Sequence, residues 1–262
     1  MKLDEKVALV TGAGTGVGAA TAVLLAQKGC RVAVNYRRSG QEAAKVVTSI
    51  EDAGGEAFAF QADVAMDNEA RALVDATVEK FGRLDLLVNN AGTTEFIPFD
   101  DFDAVDDDVW QRLYQVNVVG AFHCARAAAK VMRDACGTDG AEIVNVGSIA
   151  GLKATGSCIP YAASKAALHN MTVALARTLA PDRIRVNAVA PGFITGRWLE
   201  EGLGERYETT KAAFEKAMPL GAVCTPDDVA TAILSLVEGA DLVTGQILAC
   251  DAGMTLAEPV QV

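Results

Sequence analysis

Val7-Ala8-Leu9-Val10-Thr11-Gly12-Ala13-Gly14-Thr15-Gly16-Val17-Gly18 is the stretch that decides the architecture. The apolar run Val7 to Val10 reads as a buried strand, and the glycines after it turn the chain into a helix that reaches about Lys28. Glycine permits a tight turn and lets a pyrophosphate approach main-chain N–H groups, while a helix N-terminus presents its positive dipole end. A glycine-rich loop can also do no more than turn the chain. The strand before it and the helix behind it favour nucleotide binding.

Outward from this turn the pattern repeats. Arg31 to Asn35 reads as a strand, and a helix from about Gln41 ends at Gly54-Gly55. Ala57 to Phe60 is a third strand, Asn68 to Phe81 a helix, and Leu84 to Val88 a fourth strand. A long helix over about Val109 to Arg133 leads to the strand Glu142 to Val146. A second long helix, Tyr161 to Leu179, precedes the strands Arg183 to Val189 and Gln246 to Cys250. Strands alternating with helices imply parallel pairing through crossovers, and continuous apolar strands imply burial on both faces. The expectation is an α/β fold, a single-domain Rossmann-type doubly wound parallel sheet of seven strands with helices on both faces, spanning 1–262. The irregular stretch Phe193 to Leu220, with Gly196, Gly202, Gly204 and Pro219, is expected to be a lid or short helices over a site.

Composition narrows the function. A chain of 262 residues with 51% apolar content has a core large enough to exclude disorder. A net charge of −11 opposes binding to nucleic acid or to anionic lipid. No apolar run is long enough for a membrane span and no signal peptide is visible, so a cytoplasmic location is expected. The six cysteines lack C-x-x-C spacing and read as reduced thiols, and the two histidines, His123 and His169, lack metal-ligand spacing.

The end of the second strand bears on which nucleotide binds. NAD binding places an Asp or Glu there for the ribose hydroxyl, whereas arginine accommodates a 2′-phosphate. The sequence reads Asn35-Tyr36-Arg37-Arg38-Ser39, without a carboxylate, which favours NADP(H) over NAD(H). Arg37 and Arg38 can also be read as a solvated pair. Farther along, Tyr161 and Lys165 lie four residues apart on a helix and share a face. A free tyrosine has a pKa near 10, and a nearby ammonium is expected to lower it toward the range of proton transfer. Ser148, at a strand's carboxyl end, is placed to hold a substrate oxygen. A Tyr-x-x-x-Lys pair alone is usually an ordinary helix face.

Together these motifs resemble the short-chain dehydrogenase/reductase family over nearly the whole chain. Thr11-Gly-x-x-x-Gly-x-Gly18 is similar to its cofactor turn, Asp63-Val64 to its adenine contact, and Asn89-Asn90-Ala91-Gly92 to its strand-four motif. Asn117, Ser148, Tyr161 and Lys165 resemble its catalytic tetrad, and Asn187 to Gly192 the segment facing the nicotinamide. The resemblance implies that Tyr161 exchanges the proton, Ser148 orients the oxygen, Lys165 binds the nicotinamide ribose and tunes Tyr161, and Asn117 holds a water. It implies that Gly12, Thr15, Gly16, Val17 and Gly18 form the pyrophosphate turn, and that Asn90 and Ile194 contact the ribose and carboxamide ends. It also implies a homotetramer acting on a small carbonyl or alcohol. Pro219-Leu220-Gly221 and Leu242 to Gln246 resemble segments of 3-oxoacyl-thioester reductases, which points to a ketone or 3-oxoacyl reductase.

Three departures stand out: Gly147 where many relatives carry a second serine, an insertion-like Cys136 to Gly140, and Ala13 and Thr15 where some NADP enzymes carry Arg or Lys. Phe96, Ile159, Phe193, Trp198, Tyr207 and Phe214 are candidates for an apolar substrate pocket or for packing the lid onto the body. Cys158 reads as a passive thiol, His169 as structural, and the acidic run from Asp100 to Asp108 as a solvated loop. Other possibilities are an NAD(P)-dependent alcohol, polyol or steroid dehydrogenase and a noncatalytic nucleotide-sensing scaffold. The scaffold would be expected to have lost Tyr161, Lys165 or Ser148.

Overall fold

The computed structural model describes residues 1–135 and 140–257. Its strands are β1 (Val7–Val10), β2 (Arg31–Tyr36), β3 (Ala57–Gln61), β4 (Leu86–Asn89), β5 (Ala141–Val146), β6 (Ile184–Pro191) and β7 (Ile247–Cys250). They form one sheet in the order β3-β2-β1-β4-β5-β6-β7, every neighbouring pair parallel. The strand order reverses between β1 and β4, which opens a crevice at the carboxyl edge, where α/β sheets bind ligands.

Period-two alternation sends strand residues to two separate cores. Ala8, Val10, Val32 and Val34 pack beneath α1 (Gly16–Gln27), α2 (Gly40–Asp52) and α10 (Pro226–Val237). Val7, Leu9, Leu87 and Ile143 pack on α3 (Asp67–Phe81), α5 (Ala121–Ala135) and α7 (Ile159–Leu179). Both faces are covered, which is why β1, β4 and β5 are buried along their whole length and mostly apolar.

The long helix before β5, the helix α10 and a short helix after β5 differ from the sequence expectation, whereas the stretch after Gly192 holds the short helices that are one of its two readings. The helix anticipated over Val109 to Arg133 is interrupted: α4 (Asp107–Tyr114) passes into a π-helical turn, Gln115–Gly120, before α5. The stretch after Gly192 holds α8 (Arg197–Leu203), a 3-10 turn (Gly204–Arg206) and α9 (Tyr207–Ala217). α10 was not anticipated, although Thr225 and Asp228 form a reciprocal capping box with Pro226 in the first turn, a signal present in the sequence. A four-residue helix, α6 (Ala150–Lys153), follows β5. The expected loop at Cys136 to Gly140 falls largely outside the described residues. Among the described residues, no helix is long and apolar enough to cross a membrane.

One buried charge at the opposite, amino edge of the sheet shapes stability. Glu142 on β5 is fully buried, 2.6 Å from Arg185 Nη2, and accepts from Asn187 Nδ2 at 3.0 Å. Burial pushes its carboxyl from 4.5 up to about 7, against the pull of Arg185 and Asn187. The folded protein therefore holds a proton that the unfolded chain has released. That contribution is full below the unfolded value and is lost as pH rises through about 7. Thermal melts from pH 5 to pH 8 should show a falling Tm that Glu142→Gln flattens; equal slopes would assign the titration elsewhere.

Candidate active site

The glycine turn is held from both sides by asparagine side chains. Gly12 adopts φ +61°, and its N–H donates to Asn35 Oδ1 at 3.1 Å, while the Ala13 N–H donates to the Asn35 carbonyl at 2.7 Å. Asn35 Nδ2 in turn reaches the carbonyls of Ala62 and Phe60 at 3.0 and 3.3 Å. Just after β4, Asn90 Nδ2 donates to the Thr11 and Gly12 carbonyls at 2.8 and 3.0 Å. Thr11 Oγ1 accepts from the N–H groups of Asn90 and Ala91, each at 3.0 Å. The turn is thus held in shape by the protein's own side chains.

What remains for a ligand is the start of α1. Thr15 precedes the helix in extended conformation with no side-chain capping bond, and the first turn carries no acid. The N–H groups there are left for an anion. Val17 sends its side chain into the core and Gly18 packs against Asn90, so both could contribute only main chain. A nicotinamide dinucleotide fits this donor set. Beside it, Ser39 Oγ lies against Gly14, which brings the loop after β2 to the turn.

Arg37, a candidate for the cofactor's 2′-phosphate, and Asp63, a candidate adenine contact, meet each other in the structure. Arg37 Nη1 pairs with Asp63 Oδ2 at 3.2 Å, and Asp63 Oδ1 also accepts from the Ala65 N–H at 3.0 Å. Arg38 is exposed and forms no ion pair among the described residues. Val64 is buried, close against Gly120 at the end of the π turn.

On the other side of the crevice, Asn117, Ser148, Tyr161 and Lys165 gather around the ends of β4 and β5. Asn117, 1% exposed in the π turn, accepts from the Thr93 N–H at 2.8 Å through Oδ1. Its Nδ2 donates to the Thr93 carbonyl and to Ser164 Oγ, both at 3.0 Å. Lys165 is buried, donates to the Val146 carbonyl at 2.8 Å, and lies 5.7 Å from the centroid of the Tyr161 ring. Tyr161 is half-buried beside Ser148, whose Oγ accepts from the Ala150 N–H at 3.1 Å.

The protonation of this group corrects the sequence expectation. Burial pushes the Tyr161 phenol up to about 12, although Ser148 beside it draws it down, and pushes the Lys165 ammonium down to about 8. The lysine lies over the ring's side with its Nζ bonded to a carbonyl, and the expected lowering of the tyrosine is absent in the protein alone.

Of the pocket candidates, Phe193 stacks with Tyr207 at 6.3 Å and meets Phe214 at 5.0 Å, so these three rings pack the segment upon itself. Phe96 abuts Gly202 of α8, while Trp198 is half-exposed. Ile159 starts α7, three positions after the Gly156 bend. Ile194 bridges to Cys224, and the Thr195 N–H bonds the Cys224 carbonyl at 2.8 Å.

The family model of the short chain dehydrogenases matches residues 6–203, which includes the turn and all four gathered side chains. The chain is a short-chain dehydrogenase/reductase. It is 40% identical over 253 residues to a protein assigned as ketoacyl reductase 2 of the granaticin polyketide synthase of Streptomyces violaceoruber, covering 97% of each chain. It is 38% identical over 256 residues to a 3-oxoacyl-[acyl-carrier-protein] reductase of a Synechocystis strain, covering 97% of this chain and 98% of the other. Among solved structures it is similar to a 7α-hydroxysteroid dehydrogenase complexed with NADH and a 7-oxo bile acid conjugate. The TM-score there is 0.87 and the identity 34%, over 96% of this chain and 95% of the other. The protein is therefore an oxidoreductase of carbonyl and hydroxyl groups that uses a nicotinamide cofactor.

Sequence reasoning passed over Asn35, quoting it only as part of the strand end. Its signal was a polar residue closing an apolar strand opposite the glycine turn. An aspartate there could not donate to the two carbonyls that Asn35 serves. Asn35→Asp is expected to weaken NADPH and NADH binding in this dehydrogenase/reductase by about tenfold or more each, with their ratio unchanged, as fluorescence titration would show. A change confined to one nucleotide would make Asn35 a specificity residue instead.

Proposed function

We propose that this short-chain dehydrogenase/reductase uses NADPH to reduce a ketone, of the 3-oxoacyl type or a close analogue, with Tyr161 as general acid. What supports this is the placing of Tyr161 beside Lys165, whose Nζ lies 5.7 Å from the ring centroid, in surroundings whose burial pushes the phenol up to about 12. A phenol that keeps its proton at neutral pH is the form that can donate to a carbonyl oxygen as negative charge develops there.

Each surrounding group has a role consistent with its position. Ser148 holds the carbonyl oxygen beside the Tyr161 hydroxyl. Lys165, close to the phenol and buried, supplies the positive charge that offsets the phenolate left after transfer, and binds the nicotinamide ribose. Asn117 anchors a water that returns a proton to the site. Gly12, Thr15, Gly16, Val17 and Gly18 supply main chain to the pyrophosphate, Asp63 and Val64 flank the adenine, and Asn90 and Ile194 reach the ribose and carboxamide ends. The cofactor, when bound, supplies the hydride. The whole chain serves as one domain, with 193–220 as a substrate lid, and operates in the cytoplasm as a homotetramer.

NADPH is favoured over NADH by the loop after β2, where the exposed Arg38 forms no ion pair among the described residues, its neighbour Ser39 lies against Gly14, and Arg37 neutralises Asp63. The likeness to a hydroxysteroid dehydrogenase seen with NADH supports a second reading, an NAD-linked alcohol dehydrogenase working in the oxidative direction. Absorbance assays with a ketone panel separate the two. Turnover should be faster with NADPH, and Tyr161→Phe should cut kcat by about a thousandfold, within the usual span for losing a general acid. Arg38→Ala should lower kcat/KM for NADPH by about tenfold and leave NADH untouched. Faster turnover with NADH in the unmodified protein would overturn the cofactor assignment.

A further inference from the structure

Two turns along α7 from Tyr161, His169 packs against the loop that carries Ser148. The imidazole is 6% exposed. Its Nε2 faces the Ser148 N–H at 3.5 Å, a long contact. A Cβ on Gly147 would lie 2.2 Å from Nε2 and 2.7 Å from Cδ2, so the ring occupies the space of any side chain at 147. On the other flank the Gly147 N–H bonds the Val189 carbonyl at 2.8 Å, and the Ile149 N–H bonds Pro191 at 3.0 Å. The loop therefore cannot retreat toward β6. Glycine at 147, in place of the second serine of many relatives, and histidine at 169 are one steric arrangement.

Packing alone does not account for an imidazole. The ring is neutral, because burial and then the Lys165 charge hold its pKa down to about 4. With Nε2 turned to an N–H, the ring proton sits on Nδ1, which is buried and has no hydrogen-bond partner among the described residues. A leucine or methionine would fill the same space without stranding a polar atom. The acceptor at Nε2 is what an apolar residue lacks.

We propose that His169 is a positioning residue, whose neutral imidazole holds the Ser148 peptide and thereby sets the Ser148 hydroxyl against Tyr161. This rests on Ser148 and Tyr161 being the reacting pair. His169 touches neither substrate nor cofactor. It acts through Ser148, and residue 147 is glycine to admit it.

The test is a mutant cycle read as ketone-dependent NADPH oxidation, with NADPH affinity by fluorescence and a thermal melt for each protein. His169→Met keeps the bulk and removes the acceptor. It is expected to lower kcat about tenfold while the NADPH Kd stays within about twofold. His169→Gln, which restores an acceptor, should recover most of that loss. Ser148→Ala with His169→Met should be no slower than Ser148→Ala alone, because a residue acting through Ser148 has nothing left to position. Gly147→Ala should be impaired and the Gly147→Ala/His169→Ala pair less so. Wild-type kcat in His169→Met, or additive losses in the double variant, would overturn the proposal. So would recovery by methionine but not glutamine. An active Ser148→Ala would instead remove the catalytic reading itself, so the two failures are distinguishable.

Discussion

At the carboxyl edge of a parallel sheet the strands stop pairing while their ends must still be held in register, and here asparagine side chains do the holding. Asn35 joins the glycine turn to β2 and the segment after β3, and Asn90 ties the same turn to β4. Asn89 donates to Asn145 at 2.9 Å, and Asn145 to Thr172 of α7 at 2.9 Å, which fixes the helix of Tyr161 and Lys165 against β4 and β5. An amide offers donors and an acceptor without charge, so each can satisfy carbonyls and N–H groups together. A carboxylate in the same places would be acceptor-only. The crevice gains a rigid wall.

The π-helical turn belongs to the same constraint. A regular helix through Val109 to Arg133 would keep an even rotation per residue; the wider turn at Gln115–Gly120 shifts that phase locally. Asn117 falls within it and bonds both the Thr93 backbone and Ser164, which itself donates to the Tyr161 carbonyl at 2.8 Å. The loop after β4 and the start of α7 are thereby joined through one side chain. Wider turns of this kind are often found at functional sites, and here the distortion has a hydrogen-bonding cause that can be named.

Burial gives the titratable groups at the crevice their character. It raises the Tyr161 phenol and lowers the Lys165 ammonium, in each case by disfavouring the charged form. It leaves His169 neutral beside Lys165. The sequence suggests a lysine that lowers its tyrosine neighbour, since the pair is four residues apart on one helix. The spacing does place them together, but the direction of the shift depends on how much water reaches each group and where the ammonium bonds.

Local pattern was sufficient for the sheet, because apolar runs, glycine punctuation and helical periodicity are short-range signals that survive in a linear reading. The positions of all seven strands and the shared helix of Tyr161 and Lys165 were legible in this way, whereas Asn117 was singled out by the family resemblance. Less so were the capping box of α10, overlooked though present, and the phase shift at Asn117, which no local periodicity encodes. The Arg37–Asp63 pair joins segments 26 residues apart, and the Gly147–His169 contact joins 22. Neither distance nor burial can be read along a chain. The sequence determined which elements form and which chemistry they carry to the crevice, whereas the tertiary structure decided which groups meet there and in what state of protonation. Those depend on packing and solvent exclusion, which exist only once distant segments have closed on one another.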